Sequence, residues 1–312
     1  MTALRPLVCT LIAGLLFGQM SLCLAQTADS DNAAALATRD DAIRMIKALL
    51  AAFSEVMPPD ERAILQEIDV RMPMDYDITR VVAYRDDTGR VIEISFGFFG
   101  TAIQFCDDEV LADYYAPQDP DIYNKLEAYL TNLNDGIDRN EQSFGQDPVP
   151  LPRFAPFAGI PAETAAGFEA REDFQAAAGN LRMAAIAFAL AHEIGHHVLG
   201  HADSPPPESA AESRAREAAA DSYAVELTMR VGVPAFGALP ALALFAAAEG
   251  ETLDPGATHP LATCRIVAAI LDSVDRLAAD ERTVHLLDPT PEMLPGGTKY
   301  NDFMTSMQQN CS

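Results

Sequence analysis

Basic residues are scarce in this chain: 21 Lys+Arg stand against 46 Asp+Glu, for a formal net charge of −25. That imbalance excludes nucleic acid as a partner, because a DNA or RNA binder needs cationic side chains to displace counterions. The same field favours solubility and draws basic or neutral partners over acidic ones. Cysteine is also rare, with five in 312 residues and no C-x-x-C spacing. A small disulfide-stapled module is therefore excluded, and the thiols are poor zinc ligands. Internal repeats and long low-complexity tracts are missing too, which removes collagen-like and disordered classes. What is present is a hydrophobic fraction of 49%, enough in a chain of this length for one large or two modest domains with a sizeable core.

The N-terminus reads as a secretory signal over residues 1–25. Arg5 precedes an apolar run over residues 7–17, and Cys23-Leu24-Ala25 offers small residues where a signal peptidase cuts, after Ala25. Export across the inner membrane to the periplasm is the expectation. An uncleaved anchor helix is the alternative, for which the run is short. Lipoprotein processing at Cys23 is disfavoured by bulky Leu22. Cleavage removes Cys9 and Cys23 and leaves Cys106, Cys264 and Cys311. In an oxidising compartment the simplest arrangement is one disulfide and one buried thiol, with the pairing open.

Along the mature chain, residues 26–40 are polar and small and are expected to form a loose lead-in. Helical spacing of apolar residues follows over 41–53, and Pro58-Pro59-Asp60 ends one helix and starts the next. Strands over 80–84 and 91–96 flank Asp86-Asp87-Thr88-Gly89, a hairpin signal. Helices are expected near 103–115 and 119–135, then a Pro-rich connector over 147–161. Residues 174–200 are apolar almost all round, which marks a buried helix. Asp203-Ser204-Pro205-Pro206-Pro207 breaks it, and a charged helix runs over 208–230. The apolar stretch 231–248 is long enough to span a membrane, but Pro234, Gly237 and Pro240 interrupt it and alanines dilute it. It is read as a core helix, so no stable membrane span is expected after signal cleavage. A last helix over 259–279 precedes a Pro/Gly-rich tail. The pattern implies an α+β fold class, mostly helical with a small β-hairpin or sheet. Residues 26–150 form an N-terminal helical and hairpin region, continuous with a motif-bearing core over 151–312.

The sharpest chemical signal is Ala191-His192-Glu193-Ile194-Gly195-His196-His197, an H-E-x-x-H pattern within a helix. Residues four apart share a helical face, so both imidazoles can hold one metal ion with Glu193 beside it. Zinc suits such donors, and with an open position it lowers the pKa of bound water towards ~7, leaving Glu193 to act as general base. The plain alternatives are ordinary polar histidines or a structural metal site. Glu217 and Asp221, in Arg216-Glu217-Ala218-Ala219-Ala220-Asp221, are again four apart. The first can complete the metal shell, and the second can accept the remaining ring N–H of a ligand histidine. Taken alone they would be a solvated acidic face. His201 is an alternative to Glu217 as third ligand. A metzincin pattern is rejected, because Leu199 and Ala202 stand where its glycine and third histidine belong. His197 points about 100° away from His196 and is expected to pack or hydrogen-bond. His285 reads as a surface or packing residue.

These blocks resemble the gluzincin metallopeptidases, and more narrowly their M48 type. A third block, Thr258-His259-Pro260 with Arg265 after it, is similar to the segment that follows the glutamate helix there; together the blocks span about 75 residues. The resemblance implies a zincin-like fold and one Zn2+ ion held by His192, His196 and Glu217. It implies Glu193 as general base and then proton donor, and His259 as a stabiliser of the tetrahedral intermediate. Asp221 and Arg265 would support the site, Arg265 by pairing with a carboxylate or shaping the pocket. Many M48 enzymes carry several membrane spans, so this chain looks like the soluble, exported branch. The expected function is a zinc metalloendopeptidase acting on polypeptide substrates among exported or periplasmic proteins. The rival is a periplasmic chaperone or protein-binding module with an inactive or structural zinc site. The hairpin over 80–98 could offer an exposed strand edge to an extended peptide, or serve only as structural sheet.

Overall fold

The computed structural model describes residues 30–74, 80–142, 153–233, 240–242, 264–265, 268–269 and 271–272. The first helix, α1 (Ser30–Val56), begins well before residue 41, so part of the expected lead-in is helical. Ala33, Ala34, Ala35 and Ala37 explain this, since alanine has the highest helix propensity. At the other end Pro58 separates α1 from α2 (Pro59–Gln66), where Pro59 occupies the first helical turn and needs no amide partner.

The sheet has three strands: β1 (Ile68–Arg71), β2 (Val81–Asp86) and β3 (Gly89–Ile94). Their order is β1-β3-β2, with β1 parallel and β2 antiparallel to β3. In the hairpin turn, Asp86 Oδ1 accepts from the Thr88 N–H at 2.8 Å and the Thr88 hydroxyl at 2.6 Å. Gly89 follows at φ 137°, a conformation that side-chain-bearing residues rarely adopt. As the middle strand, β3 buries Val91 as well as Ile92 and Ile94, so the simple alternation expected of it is lost. It also ends earlier than expected. Ser95 Oγ accepts the Phe98 N–H at 3.0 Å, capping α3 (Phe96–Tyr115) and making Phe96 a helical residue.

The remaining helices are α4 (Ile122–Gln142), α5 (Phe154–Ala158), α6 (Ala162–Glu169), α7 (Glu172–Val198) and α8 (Ala210–Arg230). The short α5 lies inside the expected connector and stops at Gly159, which is left-handed at φ 76°. Among the described residues, α7 is the one helix long and apolar enough to cross a membrane, and most of it is buried inside the protein. It is the central core helix, packed against α3, α8 and β2. Its own Phe174 and Phe188 are fully buried, as are Phe53 of α1 and Phe98 and Phe99 of α3. A buried Arg182 on α7 pairs with Asp107 of α3, tying the two helices together. Ser209 caps α8 by accepting the Glu212 N–H at 3.1 Å, while Glu212 reaches back to the Glu208 N–H at 2.9 Å, a near relative of the capping box.

The architecture is α+β, mostly helical with one small sheet. Cys106 is a buried free thiol, and Cys264 is disulfide-bonded. The signal segment 1–25, most of the expected helices 231–248 and 259–279, Cys311 and His285 lie outside the described residues.

Candidate metal centre

The centre forms where the last turns of α7 lie against α8, and Gly195 sets how close they come. A Cβ at that position would meet Tyr223 Cδ1 at 3.1 Å and the Ala220 Cα and carbonyl oxygen at 3.4 Å. The small Gly195 and Ala220 therefore let two backbones approach, and Glu217 and Asp221 on α8 reach the imidazoles of α7. Helical spacing does the rest, putting His192 and His196 on one face and Glu217 and Asp221 on another.

His192 Nε2 lies 3.1 Å from His196 Nε2 and 3.2 Å from Glu217 Oε2. His196 Nε2 lies 3.5 Å from Glu217 Oε1. A tetrahedral ion with bonds of about 2.0–2.2 Å separates its ligand atoms by about 3.3 Å, so the three spacings fit donors that share one centre. Two imidazoles and a carboxylate are also a donor set that zinc accepts. Among the described residues, no other group of three such side chains converges in this way.

Behind the three donors sits an ionic layer. Asp221 Oδ1 is 2.9 Å from His192 Nδ1, close but off the line of a regular hydrogen bond. Arg265 grips Asp221 with two bonds, Nε to Oδ2 at 2.8 Å and Nη2 to Oδ1 at 2.9 Å, and its Nη2 is 3.7 Å from Glu217 Oε2. Burial works against charge on Asp221 and Glu217, yet the His192 and Arg265 partners outweigh it and hold both carboxyls down at about 2. Burial likewise opposes a charge on His192, but Asp221 and Glu217 raise it to about 10. Burial and the neighbouring His192 push His196 down to about 3. The pocket thus draws a proton to His192 while keeping His196 neutral, and a metal entering it would displace that proton.

Glu193 is buried and belongs to a different environment. Burial raises its carboxyl to about 7, against the pull of His192 and of the Ala83 backbone N–H that it accepts from. The β2 register explains that contact. The Ser95 N–H bonds the Arg80 carbonyl at 2.9 Å, so alternate residues Arg80, Val82 and Tyr84 turn towards β3 and Ala83 turns its backbone outward. Neither this contact nor the role of Gly195 was visible in the motif, because both depend on which strand and helix lie alongside.

The structure thus brings His192, Glu193, His196, Glu217, Asp221 and Arg265 together, whereas His259 lies outside the described residues. His197 turns away and its Nε2 donates to the Val91 carbonyl of β3 at 3.0 Å. His201 meets His196 at Nδ1, on the ring nitrogen opposite the converging donors, so it does not stand in for Glu217.

With this geometry in view, comparison with known families gives the class first: the chain is a peptidase, and its substrate is a polypeptide. It belongs to the Peptidase U49 family, whose sequence model matches residues 95–285. That corrects the expected M48 membership. The match begins at the cap of α3 and takes in α7, α8 and Arg265. The residues that suggested M48 are those an ion demands of two adjoining helices, and such a short pattern recurs on different scaffolds. No curated protein and no solved structure matches the chain.

Proposed function

We propose that this peptidase is a zinc-dependent endopeptidase that hydrolyses exported or periplasmic proteins. The observation that carries the reading is the convergence of His192, His196 and Glu217 at 3.1, 3.2 and 3.5 Å. Zinc held there would supply a Lewis acid and lower the pKa of a bound water to ~7. The protein's own residues supply the proton traffic. Glu193, with its carboxyl near 7, takes a proton from the attacking water and passes it to the leaving amine. Asp221, fixed by Arg265, orients His192 through its Nδ1. The outward backbone of β2 lies beside Glu193, which suits an extended peptide added as a further strand. His259 is assigned to the developing oxyanion by resemblance. Export is supported by the signal-like residues 1–25 and by a disulfide at Cys264, a bond of oxidising compartments.

Glu193→Gln tests the reading. Turnover of an unfolded protein substrate falls by at least about 10²-fold while the zinc content stays at the wild-type value. A variant that cleaves at the wild-type rate removes Glu193 from the chemistry and overturns the reading of a water activated by Glu193.

A further inference from the structure

The two imidazoles of the centre are supported differently at their far nitrogens. His192 Nδ1 faces the Asp221 carboxylate at 2.9 Å. His196 Nδ1 faces another imidazole, with His201 Nδ1 at 3.1 Å and the ring centroids 5.1 Å apart. We propose that His201 is a positioning residue for the metal ligand His196, delivered by the helix cap that ends α7. The proposal rests on the zinc reading above and adds a residue to it.

The cap explains why His201 is there. Leu199 closes α7 and Gly200 turns left-handed at φ 75°. The His201 N–H then bonds the His196 carbonyl at 2.8 Å, and the Gly200 N–H bonds the His197 carbonyl at 3.2 Å. This pair of bonds is a Schellman motif, which brings the residue after the left-handed glycine back over the last turn of the helix. An apolar contact usually forms at that point. Here the two residues so joined are His201 and His196, and their side chains meet through nitrogen. Backbone and side chain of His201 therefore both hold the same ligand residue.

The proton assignment follows from the donors. His196 turns Nε2 towards His192 and Glu217. A neutral imidazole with a free lone pair at Nε2 carries its hydrogen on Nδ1. That N–H points at His201 Nδ1, which accepts, so His201 carries its own hydrogen on Nε2. His201 thus selects the His196 tautomer that can bind metal and fixes the ring plane, the service that Asp221 gives His192.

Three proteins test this: wild type, His201→Phe and His201→Asn. Phenylalanine keeps a ring but has no acceptor, whereas the asparagine carbonyl can accept near the place of Nδ1. Zinc affinity, measured by competition with a chromophoric chelator, falls about 10–100-fold in His201→Phe and stays within about threefold of wild type in His201→Asn. In metal-free wild type labelled with 15N-histidine, long-range 1H–15N spectra show His196 protonated at Nδ1 and His201 at Nε2. His201→Phe loses that fixed pattern for His196. Zinc affinity unchanged in His201→Phe, or lost equally in both variants, overturns the role of His201. So does a wild-type spectrum with the opposite tautomers, which also decides the matter if His201→Phe does not fold. Wild-type protein that takes up no zinc overturns the metallopeptidase reading itself, and His201 as a support of a metal ligand goes with it.

Discussion

On α8, Asp221 is buried between His192 and two Arg265 nitrogens at 2.8 and 2.9 Å, and its carboxyl is held at about 2. On α3, Asp108 is equally buried, with the Tyr129 hydroxyl at 2.8 Å and the Gln104 side chain as neutral partners, and burial raises it to about 7. Glu109 beside it is also raised to about 7 by burial, and its Oε2 has no hydrogen-bond partner. Even Asp107, which meets Arg182, is raised because burial outweighs the single pair. On α3, burial therefore outweighs the partners and raises all three carboxyls. By contrast, the buried Asp221 and the partly buried Glu217 face the cationic His192 and Arg265, an enclosure that holds them low, and among the described residues they mark the candidate metal centre.

The largest expected effect comes from breaking the enclosure. Asp221→Ala leaves the buried Arg265 guanidinium without its bidentate partner and should lower the unfolding free energy of the metal-free protein by about 3–5 kcal/mol, read from urea denaturation. A loss under about 1 kcal/mol would make the enclosure energetically ordinary.

The opposite sign is expected on α3. The folded state keeps a proton on Asp108 up to about pH 7, whereas the unfolded chain releases it near 3.9. Because the native state binds the extra proton in that window, the stability contributed by Asp108 is fully present below pH ~4 and is lost as pH rises through about 7. Asp108→Asn removes the titration and keeps a carbonyl for Tyr129. It should stabilise the protein by about 2–4 kcal/mol at pH 8 and by much less at pH 4. A difference from wild type that does not change with pH contradicts the assignment.

A smaller effect sharpens the cause of the contrast. Gly195→Ala places a methyl 3.1 Å from Tyr223 Cδ1, and Tyr223 is anchored by its hydroxyl to Glu61 at 2.9 Å, so α8 has to give way. Stability should fall by about 1–3 kcal/mol, with weaker zinc binding because Glu217 is drawn away from the imidazoles. Unchanged zinc affinity would separate the helix contact from the metal site.

Much of the centre was legible because helical periodicity is local. H-E-x-x-H and the Glu217–Asp221 spacing each put their side chains on one face whatever surrounds them. The hairpin was legible for a similar reason, since its turn chemistry lies in four consecutive residues. The parts that stayed hidden depend on distant neighbours. β1 is four residues long and joins β3 in parallel, with Ile68 opposite Arg90, a pairing that no local pattern announces. Phe96 looked like strand because it continues an apolar run, and the Ser95 cap overrode that preference. The family was not legible because H-E-x-x-H is a short pattern that recurs on different scaffolds, while the family match extends over 95–285. From spacing alone His201 is an alternative ligand, because sequence does not tell which ring nitrogen faces the centre. Gly200 was the local sign of the cap that turns it away.

The most direct test of the account is the zinc content of purified wild type and of Glu217→Ala after dialysis against a weak chelator. The account predicts one zinc per wild-type chain and only a trace in the variant, since two imidazoles alone hold the ion poorly. A full equivalent of zinc retained by Glu217→Ala would contradict it.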